Sequence, residues 1–72
     1  MADESLADRL RSARQAAGLT QEQLAERAEL SGPYISQIEG GLRGPRLSAV
    51  AAARLAQALG VETDWLVSGR AA

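Results

Sequence analysis

The sequence contains neither cysteine nor histidine. Without cysteine there is no disulfide, no thiolate nucleophile and no thiolate metal site. Without histidine, the commonest transition-metal ligand and the usual general base near neutral pH are both missing. Lysine is absent too, so all eight basic residues are arginine, and the aromatic residues are reduced to Tyr34 and Trp65. No apolar run approaches the roughly 20 residues that a membrane-spanning helix needs. The acidic start, Met1-Ala2-Asp3-Glu4, is unlike a signal peptide. A soluble cytoplasmic protein is expected. The serines, threonines and carboxylates that remain for catalysis have no evident basic partner, and no phosphate-cradling glycine loop is visible. An enzyme is not expected, and no metal, cofactor or small-molecule ligand is called for.

What is present favours helices. Apolar residues make up 46% of the 72, much of it alanine and leucine, and arginine, glutamate and glutamine are prominent among the rest. All are good helix formers. The length suits one domain spanning residues 1–72, which on folding buries only about 60% of its unfolded surface. The formal net charge is −1, so any basic surface must be local.

Leu6, Leu10, Ala13 and Ala17 recur at helical spacing and predict a first helix over 6–17 with one apolar stripe. Ser5 or Asp3 can cap its start, and Gly18 sits where a left-handed C-terminal cap is expected. Asp8, Arg9, Arg11, Ser12 and Gln15 read as its solvated face. Thr20-Gln21-Glu22-Gln23 has the form of a capping box, with Leu19 and Leu24 placed as a hydrophobic staple. The helix that follows runs to about Ala28, with Leu24, Ala25 and Ala28 facing inward. After a break at Glu29-Leu30 the device repeats. Ser31 is the cap, Leu30 and Ile35 the staple, and Pro33 lies in the first turn, where its missing N–H costs nothing. Gly40-Gly41 end this helix. Two helices of about eight residues joined by a short turn make a helix-turn-helix, here at 20–39.

Beyond a loop from Leu42 to Pro45, a helix is expected over Leu47–Leu59, closed by Gly60. Leu47, Val50, Leu55, Ala58 and Leu59 approximate its buried stripe, although Ala51-Ala52-Ala53 leave the register unfixed. A short last helix over Thr63–Val67 offers Trp65 and Leu66 as apolar anchors, and Ser68–Ala72 reads as a frayed tail. The expected class is all-α, a compact five-helix domain. Ile35 and Ile38 turn the third helix inward, and at about 100° per residue the side left free is Gly32, Pro33, Ser36, Gln37 and Gly40.

The run Leu-Thr-Gln-Glu-Gln-Leu-Ala-Glu-Arg-Ala-Glu-Leu-Ser-Gly-Pro-Tyr-Ile-Ser-Gln-Ile-Glu over 19–39 resembles the lambda-repressor-like (Cro-type) helix-turn-helix family of phage and bacterial regulators. The approach through Gly18-Leu19-Thr20-Gln21 and the later Ala58-Leu59-Gly60-Val61 extend the likeness over nearly the whole chain. The resemblance implies a compact DNA-binding domain whose third helix enters the major groove, about 12 Å wide. It implies a phosphate contact for Gln21, unless Gln21 is an ordinary first-turn residue. Gln37 would read a base, since glutamine can pair with adenine N6 and N7; otherwise it is an exposed polar residue. Ser36 and Ser31 join the DNA-facing set. Tyr34 would reach phosphate or sugar, or pack against the Leu42 loop. Arg43 and Arg46 would run beside the DNA backbone, unless they serve only solubility. Arg14 and Glu39 would form a salt bridge from the first helix to the third, a scaffold rather than a DNA contact.

Two departures from the family pattern stand out. Glu29 stands where glycine is common and the backbone turns left-handed, at a cost on the order of 1 kcal/mol. Gly32 and Pro33 stand where several relatives carry base-reading side chains. Glycine reads nothing, and proline offers only apolar contact, for instance with a thymine methyl. The expected function is a sequence-specific transcriptional regulator, a repressor binding a pseudo-palindromic operator as a homodimer. Trp65 and Leu66 would lie at the dimer surface, unless Trp65 is buried within its own subunit. The alternative is a protein-interaction module, such as an antitoxin subunit, with DNA binding secondary.

Overall fold

The computed structural model describes residues 5–41 and 47–69. All regular structure among them is helical, in five segments: α1 (Leu6–Ala16), α2 (Gln21–Ala28), α3 (Gly32–Glu39), α4 (Ala49–Leu59) and α5 (Thr63–Ser68). None of these helices is long and apolar enough to cross a membrane. Helix α2 lies between α3 and α4, α1 packs on α3 and α5, and α4 packs on α5. Leu10, Leu24, Ile35, Ile38, Leu55 and Leu66 meet in the centre, all fully buried.

Local chemistry sets the helix starts. Ser5 rather than Asp3 caps α1, and Asp8 closes a capping box with it; Asp3 lies outside the described residues. At α2 the Thr20 hydroxyl accepts from the Gln23 N–H at 3.0 Å, while the Gln23 side-chain oxygen accepts from the Thr20 N–H at 2.9 Å. Ser31 and Ser48 cap α3 and α4 through the hydroxyl alone, accepting from the Tyr34 and Ala51 N–H groups. Leu19 and Leu24 are both buried, and Leu30 packs against the core cluster that contains Ile35. Glu29 is left-handed, at φ 59° and ψ 43°, and is the only non-glycine residue with positive φ among the described residues. Its exposed carboxylate faces Arg54 at 3.9 Å.

The expected stripe of α1 needs correction. Leu6 and Leu10 are buried, but Ala17 is the exposed C-cap, and the third buried side chain is Arg9. Arg9 is not solvated. Its Nε donates to the Leu66 carbonyl and its Nη2 to the Val67 carbonyl, both at 2.9 Å. A cation there satisfies carbonyls at the end of α5 that have no partner within the helix. Gly69, just beyond, has φ +79°, and a Cβ on it would stand 3.0 Å from Arg9 Nη1. Glycine is needed there both for conformation and for the close approach of the guanidinium.

Helix α4 also differs from expectation. It begins at Ala49 rather than Leu47, and it buries Ala51, Ala52, Leu55 and Ala56. Val50 is 63% exposed instead of lying on the inner face. Leu47, Ala58 and Leu59 pack at the edge of the core. In α5, Leu66 is fully buried in its own core and Trp65 packs against that core, so Leu66 is not available to a dimer surface. Among the described residues, the exposed large apolar side chains are Val50 and Val67.

Candidate nucleic-acid interface

With Ile35, Ile38 and Glu39 turned inward, α3 leaves Pro33, Ser36 and Gly40 exposed and Gly32 and Gln37 half-buried. Its entry is held by Ser31, whose hydroxyl accepts from the Tyr34 N–H at 3.1 Å. Tyr34 is half-buried and packs against the core; the Leu42 loop lies outside the described residues. Arg43 and Arg46 lie outside them too. Pro33 in the first turn needs no hydrogen-bonding partner of its own, so it can stand in the open.

The first turn of α2 faces the first turn of α3 across a shallow groove of about 720 Å³, lined by Arg14, Thr20, Gln21, Glu22, Gly32, Pro33 and Ser36. Three of the DNA-facing residues read from the sequence, Gln21, Pro33 and Ser36, thus share one depression, and Gln37 follows one residue later on α3. Gly32 is not demanded by packing. A Cβ there would meet only the Glu22 Cγ, at an ordinary 3.9 Å. Glu22 is the one groove residue that sequence reasoning passes over; it immediately follows Gln21, and its carboxylate brings negative charge to the rim.

Beneath the groove lies a polar junction centred on Glu39, whose side chain is 3% exposed. Arg14 grips it with two bonds, Nε to Oε2 at 2.7 Å and Nη2 to Oε1 at 3.0 Å, as the family resemblance implies. The third Arg14 nitrogen, Nη1, donates to the Leu19 carbonyl at 2.9 Å. Arg11, expected on a solvated face, instead donates from Nη2 to the Glu39 carbonyl at 2.7 Å and lies 3.8 Å from its carboxylate. Gln21 completes the set, with Nε2 donating to Glu39 Oε1 at 3.1 Å. Burial alone would push the Glu39 carboxyl up, but the hydrogen bonds from Arg14 and Gln21 and the charges of Arg14 and Arg11 hold it below the usual carboxylate range. The same bond to Glu39, opposed by burial and helped by the charge attraction, raises Arg14 above its ordinary value.

The arrangement suits an elongated anionic partner. A helix N-terminus offers free N–H groups at Gln21, a second helix exposes an edge without bulky side chains, and no group of acidic or sulfur ligands fit for a metal occurs among the described residues. Comparison with known proteins shows the family and the fold. A family model described as a helix-turn-helix domain matches residues 5–67. An uncharacterised HTH-type transcriptional regulator of Mycobacterium tuberculosis is 46% identical over 57 residues, covering 79% of this chain. The chain spans 39% of that relative's length. Among solved structures, the restriction-modification controller protein C.AhdI from Aeromonas hydrophila is 39% identical with a TM-score of 0.78, covering 85% of this chain and 89% of its own. The P22 c2 repressor in complex with a synthetic operator superposes with a TM-score of 0.85 at 25% identity, covering 94% of this chain and all of its own. The chain belongs to the helix-turn-helix domain family, with the five-helix fold of the P22 c2 repressor.

Proposed function

We propose that the chain is the DNA-binding unit of a sequence-specific transcriptional regulator, acting as a repressor on a pseudo-palindromic operator. The observation that carries this reading is the exposed edge of α3, set beside the N-terminus of α2 in a frame that matches an operator-bound repressor. Gln21 and the N–H groups of the α2 first turn hold a phosphate, and Gln37 reads a base edge, with Ser36 beside it. Pro33 gives apolar contact to a thymine methyl. Ser31 and Tyr34 line the entry of α3, and Arg43 and Arg46 neutralise flanking phosphates. Because Gly32 carries no side chain, part of the selectivity comes from DNA shape rather than direct contact.

A single domain of this size covers little DNA, so the regulator works as a homodimer, with one α3 per half-site and the half-sites about one helical turn apart. Val50 and Val67, not Leu66, supply the apolar surface open to a second copy. Its place of work is the cytoplasm. A second reading, a protein-interaction module such as an antitoxin subunit, draws support from the use of charge. Among the described arginines, Arg9, Arg11, Arg14 and Arg54 are engaged by internal acceptors, which leaves little cationic surface for phosphate.

Fluorescence anisotropy with random duplex DNA, titrated over salt, separates the two. Affinity should fall steeply with salt, and Arg43→Ala should make the log–log slope shallower by about 0.9 for each phosphate that the arginine neutralises. A folded sample that binds no duplex even at low salt would remove the regulator reading and leave the interaction module.

A further inference from the structure

From the Glu39–Gln21 contact we infer that Glu39 is a positioning residue for DNA binding, holding the Gln21 amide in the orientation that presents an N–H to a phosphate. The inference rests on the proposed DNA-binding reading and deepens it. Its basis is a continuous set of bonds from the interior to the groove. Arg14 fixes both Glu39 oxygens, and Glu39 Oε1 in turn accepts from Gln21 Nε2 at 3.1 Å. Gln21 lines the groove and makes no other side-chain hydrogen bond among the described residues.

The chemistry of the two ends makes the contact directional. A glutamine side chain can rotate its amide by half a turn at little cost, exchanging a donor for an acceptor. An ionised carboxylate only accepts, so it holds the NH2 end of Gln21 and rejects the carbonyl end. One N–H is used by Glu39 and the other is left for an outside acceptor. A phosphate oxygen also only accepts, so the flipped amide, with its carbonyl towards the anion, would repel it. Glu39 is 3% exposed, which keeps water from competing for the bond. The fixed amide thereby enters the complex without further ordering, which is where preorganisation gains affinity. Glu39 itself touches no DNA.

The test is a double-mutant cycle in DNA affinity, with Glu39→Gln, Gln21→Ala and the pair, each checked for folding by circular dichroism. Each single change should weaken binding roughly 3- to 10-fold, the range for one hydrogen bond, and the double variant should be no weaker than Gln21→Ala alone. The salt slope of Gln21→Ala should stay unchanged, because glutamine is neutral and releases no counterion. Additive losses, or no loss in Glu39→Gln, would overturn the inference. NMR on the wild type keeps the test decisive if Glu39→Gln does not fold. The Gln21 side-chain amide signals should shift as Glu39, faced by Arg11 and Arg14, is protonated at low pH, and signals that stay put through that titration count against it. If the wild type binds no duplex, the DNA-binding reading fails on its own, whatever these signals show.

Discussion

Around the helix-turn-helix, α1, α2 and α3 are joined by directional polar bonds, with Arg14 and Gln21 bonded to the buried Glu39 carboxylate and Arg11 to the Glu39 backbone carbonyl. On the other side, α4 and α5 are held by aliphatic burial of Ala51, Ala52, Leu55 and Leu66, with Arg9 as the polar tie from α1 to α5. Polar bonds fix angles and distances, whereas apolar contact fixes little beyond proximity. The side that must present α3 in a set orientation is the one built from bonds with geometry. The side that completes the core tolerates a register set by small residues.

Truncation separates the two sides most strongly. Leu66→Ala should destabilise the domain by about 2–5 kcal/mol, the usual range for a fully buried leucine, and in a chain this small each kcal/mol lowers Tm by about 4–8 °C. Val50→Ser, on the same side but 63% exposed, should stay within about 0.5 kcal/mol. Equal losses in thermal denaturation would mean that α4 is rotated from the register described. On the polar side, Arg14→Ala should cost about 2 kcal/mol, because Glu39 gives up two charge-assisted bonds but keeps Arg11 and Gln21.

The two sides should also differ towards acid. The fold lowers the Glu39 pKa from its ordinary 4.5, so its contribution is fully present above that value and is lost as pH falls through the lower folded value. Stability measured by urea titration should therefore decline below about pH 4, and Glu39→Gln should flatten that decline. An unchanged acid limb would place the effect on other carboxylates. The smallest expected change is at the turn. Glu29→Gly should stabilise by up to about 1 kcal/mol, since relief of left-handed strain exceeds the loss of an exposed ion pair with Arg54.

The same division governs what can be read from sequence. Thr20 with Gln23, Ser31 and both staples act within a few residues of one another, so spacing alone places them, and the turn at Glu29 follows from the residues on either side. The free edge of α3 is legible because Ile35 and Ile38 leave no other way to turn it. Arg9 is not legible in that way. Its acceptors lie 57 and 58 residues further along the chain, so by its charge it reads as part of the solvated face. In α4 the alanines at 51–53 are equally content inside or outside, so the valine draws the expected stripe about one residue, or 100°, away from the observed one. In the groove, Gln21 is legible through its place in the motif, but its bond to Glu39 joins two helices and appears only once they pack.

The proposed DNA-binding face is the edge of α3 beside the α2 N-terminus. Titrating the nitrogen-15-labelled protein with a duplex and following backbone amide shifts tests it directly. The largest shifts should fall at 20–23 and 31–37, with α4 and α5 responding little. Shifts gathered instead around Val50 and Val67 would place the contact away from the helix-turn-helix and contradict the account.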